Sequence, residues 1–97
     1  MMNIEIKGIH YELSEKTLEQ FQKKMKRLEF ASDFIKTLEF SVEREKSLYN
    51  LSADFTFTGG NPSHLHISSH NLYEGIDLII DKVENKISKE KEKMQNH

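Results

Sequence analysis

The stretch from Asn71 to Met94, NLYEGIDLIIDKVENKISKEKEKM, constrains this chain more than any other. Leu72, Ile76, Ile79, Ile80, Val83, Ile87 and Met94 recur at steps of three, four and seven. That spacing is one face of a helix with about 3.6 residues per turn. Asn71 reads as its N-cap, and the Glu74 carboxylate is placed to reach back to the free N–H of the cap. Gly75, inside the first turns, costs up to about 1 kcal/mol relative to Ala. Close packing of the helix on a sheet explains its presence.

The polar positions of this helix are sorted by sign. Lys82, Lys86, Lys89 and Lys93, spaced four, three and four, form a stripe beside the apolar face, and Asp77, Asp81, Glu84 and Glu92 point away from it. Two readings follow. One is a solvated face laced with i,i+4 ion pairs. The other is a row of cations spaced to meet a phosphate backbone.

Upstream, the period changes twice. Ile4 and Ile6 alternate with Asn3, Glu5 and Lys7, which predicts a short half-buried strand ended by Gly8. Ser14 then reads as an N-cap, and Leu18, Phe21, Met25 and Leu28 predict an amphipathic helix over 15–29. Lys16, Lys23, Lys24 and Arg27 lie away from that stripe, and 30–34 is the connection. From Ile35 to Lys46 the period is two, with Leu38, Phe40 and Val42 opposite Glu39, Ser41, Glu43 and Glu45. A hairpin turn at Lys46-Ser47-Leu48 leads to a second run, Tyr49 to Thr58, with Tyr49, Leu51, Ala53, Phe55 and Phe57 inward. Gly59-Gly60-Asn61-Pro62-Ser63 is a turn. A last short strand has Leu65 and Ile67 inward and His64, His66 and Ser68 outward.

The order β-α-β-β-β-α predicts an α+β two-layer sandwich, a four-stranded sheet with two helices packed on one face. Its outer sheet face carries Glu5, Glu39, Glu43, Glu45 and Asp54, while the helix layer carries both basic stripes. A net charge of −2 hides this dipole.

The 97 residues suffice for one core, so residues 1–97 are expected to form a single domain. With no cysteine there is no disulfide framework or thiolate site. The N-terminus lacks the apolar segment of a signal peptide, and no apolar run spans a bilayer. The expectation is a cytoplasmic protein with no membrane partner.

Candidate sites for chemistry are weak. His64, His66 and His70 cluster, but no Cys or well-spaced carboxylate completes a tetrahedral zinc set. Ser68, Ser69 and His70 adjoin, yet neighbours on a strand point to opposite faces, so no nucleophile–base pair follows. No phosphate-cradling glycine loop or dinucleotide fingerprint is present. The chain is read as a non-enzyme without a cofactor or metal. Tyr73 reads as a partly buried anchor with its hydroxyl at a polar edge, not as a base-stacking platform.

The element order, the Gly59-Gly60 turn and the run Asn71-Leu72-Tyr73-Glu74-Gly75-Ile76-Asp77 resemble the ribosome hibernation-promoting factor / ribosome-associated inhibitor A family. In that family the last helix opens with Asp-[hydrophobic]-Tyr-Ala-Ala-Ile-Asp and continues into spaced basic residues. Here the continuation is Lys82 to Lys93. Lys24 and Arg27-Leu28-Glu29 fall on the family's basic and apolar positions. There are departures: Asn71 for Asp, Glu74-Gly75 for Ala-Ala, Asn85 for Arg, Ser69 for Gly, and Glu90 within the basic tail.

The resemblance implies a translation inhibitor bound to the small ribosomal subunit near the decoding site, overlapping the mRNA and tRNA paths, and active in stress or stationary phase. Together with the sorting of charge by helix face, it points to rRNA contacts from Lys16, Lys23, Lys24, Arg27, Lys82, Lys86, Lys89, Lys91 and Lys93. The chain looks like a short form without a C-terminal dimerisation domain, monomeric off the ribosome. Short forms either support ribosome pairing alongside a second factor or block it through a tail, for which Gln95-Asn96-His97 is too short. Two other classes remain open: a double-stranded-RNA-binding or ribosome-assembly module of similar topology, and an adaptor using the acidic sheet face.

Overall fold

Alternating apolar residues build the sheet, and the two amphipathic helices cover it. The computed structural model describes residues 2–95. They run β1 (Asn3–Ile9), α1 (Glu15–Met25), a 3-10 segment (Lys26–Ala31), β2 (Ile35–Glu45), β3 (Leu48–Phe57), β4 (Pro62–Ser69) and α2 (Leu72–Gln95). Expectations that fall on the side chains of Met94 and Gln95, or on Asn96 and His97, lie outside the described residues.

The sheet order is β1-β2-β3-β4. β2, β3 and β4 are antiparallel neighbours, and β1 lies parallel to β2 with Ile4 opposite Leu38 and Ile6 opposite Phe40. A parallel neighbour needs a crossover, and α1 supplies it. The expected two-layer sandwich is therefore the observed one.

β1 does not stop at Gly8: it pairs through Gly8 and Ile9 with Val42 and Glu43. The missing side chain serves a close approach instead. A Cβ at Gly8 would stand 1.9 Å from the Tyr11 carbonyl oxygen. The turn itself falls at His10, which has φ +50. The β2–β3 hairpin also turns without glycine: Lys46 takes φ +57, and Arg44 Nε donates to the Lys46 carbonyl at 3.1 Å.

The core runs between the sheet and both helices. Phe21, Leu28, Leu38, Phe40, Val42, Phe55, Phe57, Ile76, Ile79, Val83 and Ile87 are buried in it, as the periodicities require. Leu18 and Met25 are only half-buried. Thr17 takes an inner position instead, because its hydroxyl is satisfied by Ser14 Oγ at 2.9 Å. The expected 15–29 helix tightens after Met25 into the 3-10 segment, which buries Leu28 and Ala31 and leaves Phe30 exposed.

Both N-caps form. Ser14 Oγ accepts from Thr17 N–H at 3.2 Å, and Asn71 Oδ1 accepts from Glu74 N–H at 3.0 Å. The reciprocal reach of Glu74 to the cap is replaced. Ser69 Oγ accepts from the Asn71 N–H at 3.1 Å and donates to the Asn71 carbonyl at 2.9 Å. Gly75 has the role expected of it: a Cβ there would lie 2.9 Å from Leu51 Cδ1, so α2 sits hard against β3.

Candidate nucleic-acid interface

The sign-sorting of α2 has a packing cause. Lys24 Nζ lies 3.1 Å from Asp77 Oδ1, and Arg27 binds Glu84 and Asp81. Partners advance along both helices together, so α1 and α2 run parallel with their N-termini at one end. Asp77, Asp81 and Glu84 of α2 face α1 and the 3-10 segment after it and form an ion-paired seam. The guanidinium of Arg27 is held well above its ordinary pKa, first by its hydrogen bonds to Glu84 and then by that to Asp81.

The lysine stripe flanks the other side of α2, where Lys86 and Glu90 border the β3–β4 turn. Within it, Lys82 and Lys89 are exposed. Lys86 is paired with Glu90 at 3.1 Å and Lys93 approaches the same carboxylate at 3.7 Å. Lys91 is on the α1 side, 5.4 Å from the Phe34 ring centre and 5.8 Å from that of Phe30. On α1, Lys16 and Lys23 are exposed. Among the described residues, Lys16, Lys23, Lys82 and Lys89 have no ion-pair partner.

The nine candidate cations are thus not equivalent. Four are unpaired and outward, two are tied into the helix seam, two share Glu90, and Lys91 stands against aromatic rings. Periodicity placed them on faces. It could not reveal the pairing of Lys24 and Arg27, which depends on α1 lying parallel to α2.

The opposite side of the sheet is acidic. Glu5, Glu39, Asp54 and His64 stand side by side in register across all four strands. Like charges opposite one another destabilise a sheet. The row is relieved by Lys7, 2.9 Å from Glu39, and by His64 Nδ1, 2.6 Å from Asp54 Oδ1. The hydrogen bond to Glu39 is the first cause of a raised Lys7 pKa. A depression of about 740 Å³ lies over this row. It is larger than the depression beside Lys86, of about 430 Å³, but docking on a phosphate surface requires protruding cations, not a cavity. The three histidines do not converge: His64 bonds Asp54, and His70 lies 3.3 Å from the Ser47 carbonyl. No metal-ligating group of three is found among the described residues. No helix of the described residues is long and apolar enough to cross a membrane.

Tyr73 departs from its expected burial, being 45% exposed. It lies in the first turn of α2, on the side of the helix away from Gly75 and Ile76, which meet the sheet. Tyr11 and Tyr49 share this end, edge to face at 6.0 Å. Burial, and then the neighbouring Tyr49, push the Tyr11 phenol above its ordinary pKa, with Arg44 opposing.

The sequence and the fold match known proteins. Residues 4–95 match the family model described as Sigma 54 modulation protein / S30EA ribosomal protein. The chain belongs to that family. Over 99 aligned residues it is 27% identical to a ribosome hibernation promoting factor of Pseudomonas putida strain KT2440, covering 98% of this chain and 92% of that protein. A ribosomal subunit interface protein from Coxiella burnetii superposes with a TM-score of 0.83 at 24% identity, over 94% of this chain and 98% of that one. The N-terminal domain of Thermus thermophilus Protein Y gives 0.77 at 19% identity, over 91% and 98%. At these identities the two structures speak for the fold. The resemblance carried by Tyr73–Asp77 and the spaced lysines is borne out by the S30EA family match.

Proposed function

We propose that this chain is a ribosome hibernation factor that docks on the small ribosomal subunit near the decoding site and blocks mRNA and tRNA by occupancy. The observation that carries the reading is the set of unpaired, outward cations on the helix layer, Lys16 and Lys23 on α1 and Lys82 and Lys89 on α2, in an S30EA-family fold. Structured RNA presents phosphate and ribose over a broad surface, and spaced cations engage it without reading bases. The carboxylates of the far sheet face are repelled by the same phosphates, which favours one orientation. Such a factor works in the cytoplasm as a monomer. It acts by occlusion and needs no catalytic group or cofactor. Lys86, Lys91 and Lys93 add to the same surface, while Lys24 and Arg27 reach RNA from within the seam. A second, pairing factor is a partner on the ribosome, not for the free chain.

Two charge-reversal variants test this by co-sedimentation with vacant ribosomes at two salt concentrations. Lys82→Glu with Lys89→Glu loses association and translation inhibition. Glu39→Lys with Glu43→Lys keeps both. For wild type, association falls with salt with a log–log slope of roughly −0.7 to −0.9 per phosphate contact. A folded helix-face variant that still inhibits would overturn the reading, and a flat salt response would favour the adaptor. Tighter binding to naked duplex RNA than to ribosomes would favour a duplex-binding module.

A further inference from the structure

Resting on the rRNA reading above, we infer that the cleft at the shared N-terminal end of α1 and α2 takes one unpaired nucleotide of an RNA strand, its base stacked on Tyr73 and its phosphate met by Arg44. The cleft, about 400 Å³, is lined by Tyr11, Tyr49, Tyr73 and His70 together with the two cap residues Ser14 and Asn71. Its aromatic residues come from four places in the chain: the β1–α1 connection, β3, the β4–α2 junction and the start of α2. The topology collects them at one corner, and no periodic pattern announces it.

Three features point to a nucleotide. Tyr11 and Tyr49 pack against the core and form a fixed wall. Tyr73 presents its ring to solvent, 45% exposed, where a base can stack without displacing protein. Arg44 supplies the charge. It lies on the helix side of β2 directly across from Tyr49, with Cζ 5.4 Å from that ring centre. Only its Nε has a hydrogen-bond partner, the Lys46 carbonyl, and it has no carboxylate partner among the described residues. A planar guanidinium held over an aromatic ring with its other N–H groups free is suited to a phosphate beside a stacked base. The helix ends do not carry the argument, since Glu15 and Glu74 in the first turns offset much of their field. Lys16, exposed two residues beyond the Ser14 cap, joins this cleft to the proposed RNA face.

The experiment exploits composition. The chain has three tyrosines and no tryptophan, and all three tyrosines line the cleft, so tyrosine emission reports on this corner alone. Titration of the full chain with a single-stranded hexanucleotide quenches that emission saturably. It does so also in the Lys82→Glu, Lys89→Glu variant, where the helix stripe is disabled. Anisotropy of a labelled strand shows Tyr73→Ala binding roughly tenfold weaker. Tyr73→Phe, which keeps the ring, restores affinity. Arg44→Gln weakens binding of the strand and of AMP but not of adenosine. Absent quenching overturns the inference, as does a folded Tyr73→Ala variant that binds the strand like wild type. AMP binding as tightly as the strand would overturn the assignment to RNA in favour of a free nucleotide. Ribosome co-sedimentation on the same variants keeps the two ideas separable. Absent quenching with intact, lysine-dependent ribosome binding sinks the cleft and leaves the functional reading standing.

Discussion

Arg27 grips Glu84 with a two-pronged contact across the helix pair: Nε donates to Oε2 at 3.3 Å and Nη2 to Oε1 at 3.1 Å. Nη2 also bonds Asp81, one turn back on α2. One residue of the 3-10 segment that follows α1 therefore ties together two successive turns of α2, on the side away from the lysine stripe. Arg27 is thus engaged within the protein before any partner arrives.

The seam predicts that Lys replaces Arg27 only in part. A lysine keeps the charge but has no planar fork to hold two carboxylates. The side chain is 37% exposed, so solvent screening keeps its worth near that of surface pairs. Arg27→Lys is expected to cost about 1 kcal/mol or less, measured by urea denaturation. The same variant should lose ribosome association less than Lys82→Glu with Lys89→Glu does. Equal losses would make Arg27 a direct RNA contact of the same rank.

Ile79 is fully buried in α2, facing the sheet. Ile79→Ala removes buried methyl groups and leaves a cavity, and is expected to cost on the order of 2–5 kcal/mol. A cost near zero in urea denaturation would mean that the α2 register is different.

Much of this was readable in the sequence because it depends on period. Ile76, Ile79, Val83 and Ile87 had to share a face, and Leu38, Phe40 and Val42 had to share another, whatever the topology. The alternation of Ile4 and Ile6 likewise set which face of β1 turns inward. It could not show that β1 is an edge strand, where Ile4 remains 38% exposed. Features that need two distant segments side by side were hidden. The Arg27–Glu84 contact joins positions 57 apart, and the tyrosine cleft joins four stretches. Ser69 was visible only as a departure from the family pattern, and its work on the Asn71 backbone appears only in three dimensions.

Gly8 marks another such place, and it yields a prediction. A methyl group there would meet the Tyr11 carbonyl oxygen at 1.9 Å and its carbon at 3.0 Å. Both are backbone atoms and cannot rotate away. Gly8→Ala should therefore push the β1–α1 connection outward at a cost on the order of 1–3 kcal/mol, as overpacking does. Thermal unfolding measures the loss. Since Tyr11 moves with its carbonyl, tyrosine emission of the folded variant should change as well. An unchanged melting temperature would show that the connection gives way freely.

Glu90 supplies the last prediction, because it works against the proposed interface. Its carboxylate takes Lys86 at 3.1 Å and Lys93 at 3.7 Å. The Lys86 hydrogen bond is the first cause of the carboxyl's lowered pKa. A lowered folded-state value means the pairing is in place above the ordinary carboxylate pKa and is lost only as pH falls through the lower, folded one, so at neutral pH both lysines are engaged. Glu90→Gln removes the charge, keeps the shape and releases two cations. Ribosome association should strengthen, and its salt dependence should steepen by roughly 0.7 to 0.9 in log–log slope for each lysine that gains a phosphate. Stability should change little, since exposed pairs contribute little. Co-sedimentation at two salt concentrations reads both quantities. Weaker association of a folded Glu90→Gln variant would mean that Glu90 orders the lysines for RNA instead of withholding them, and the four unpaired cations would then no longer suffice to explain the interface.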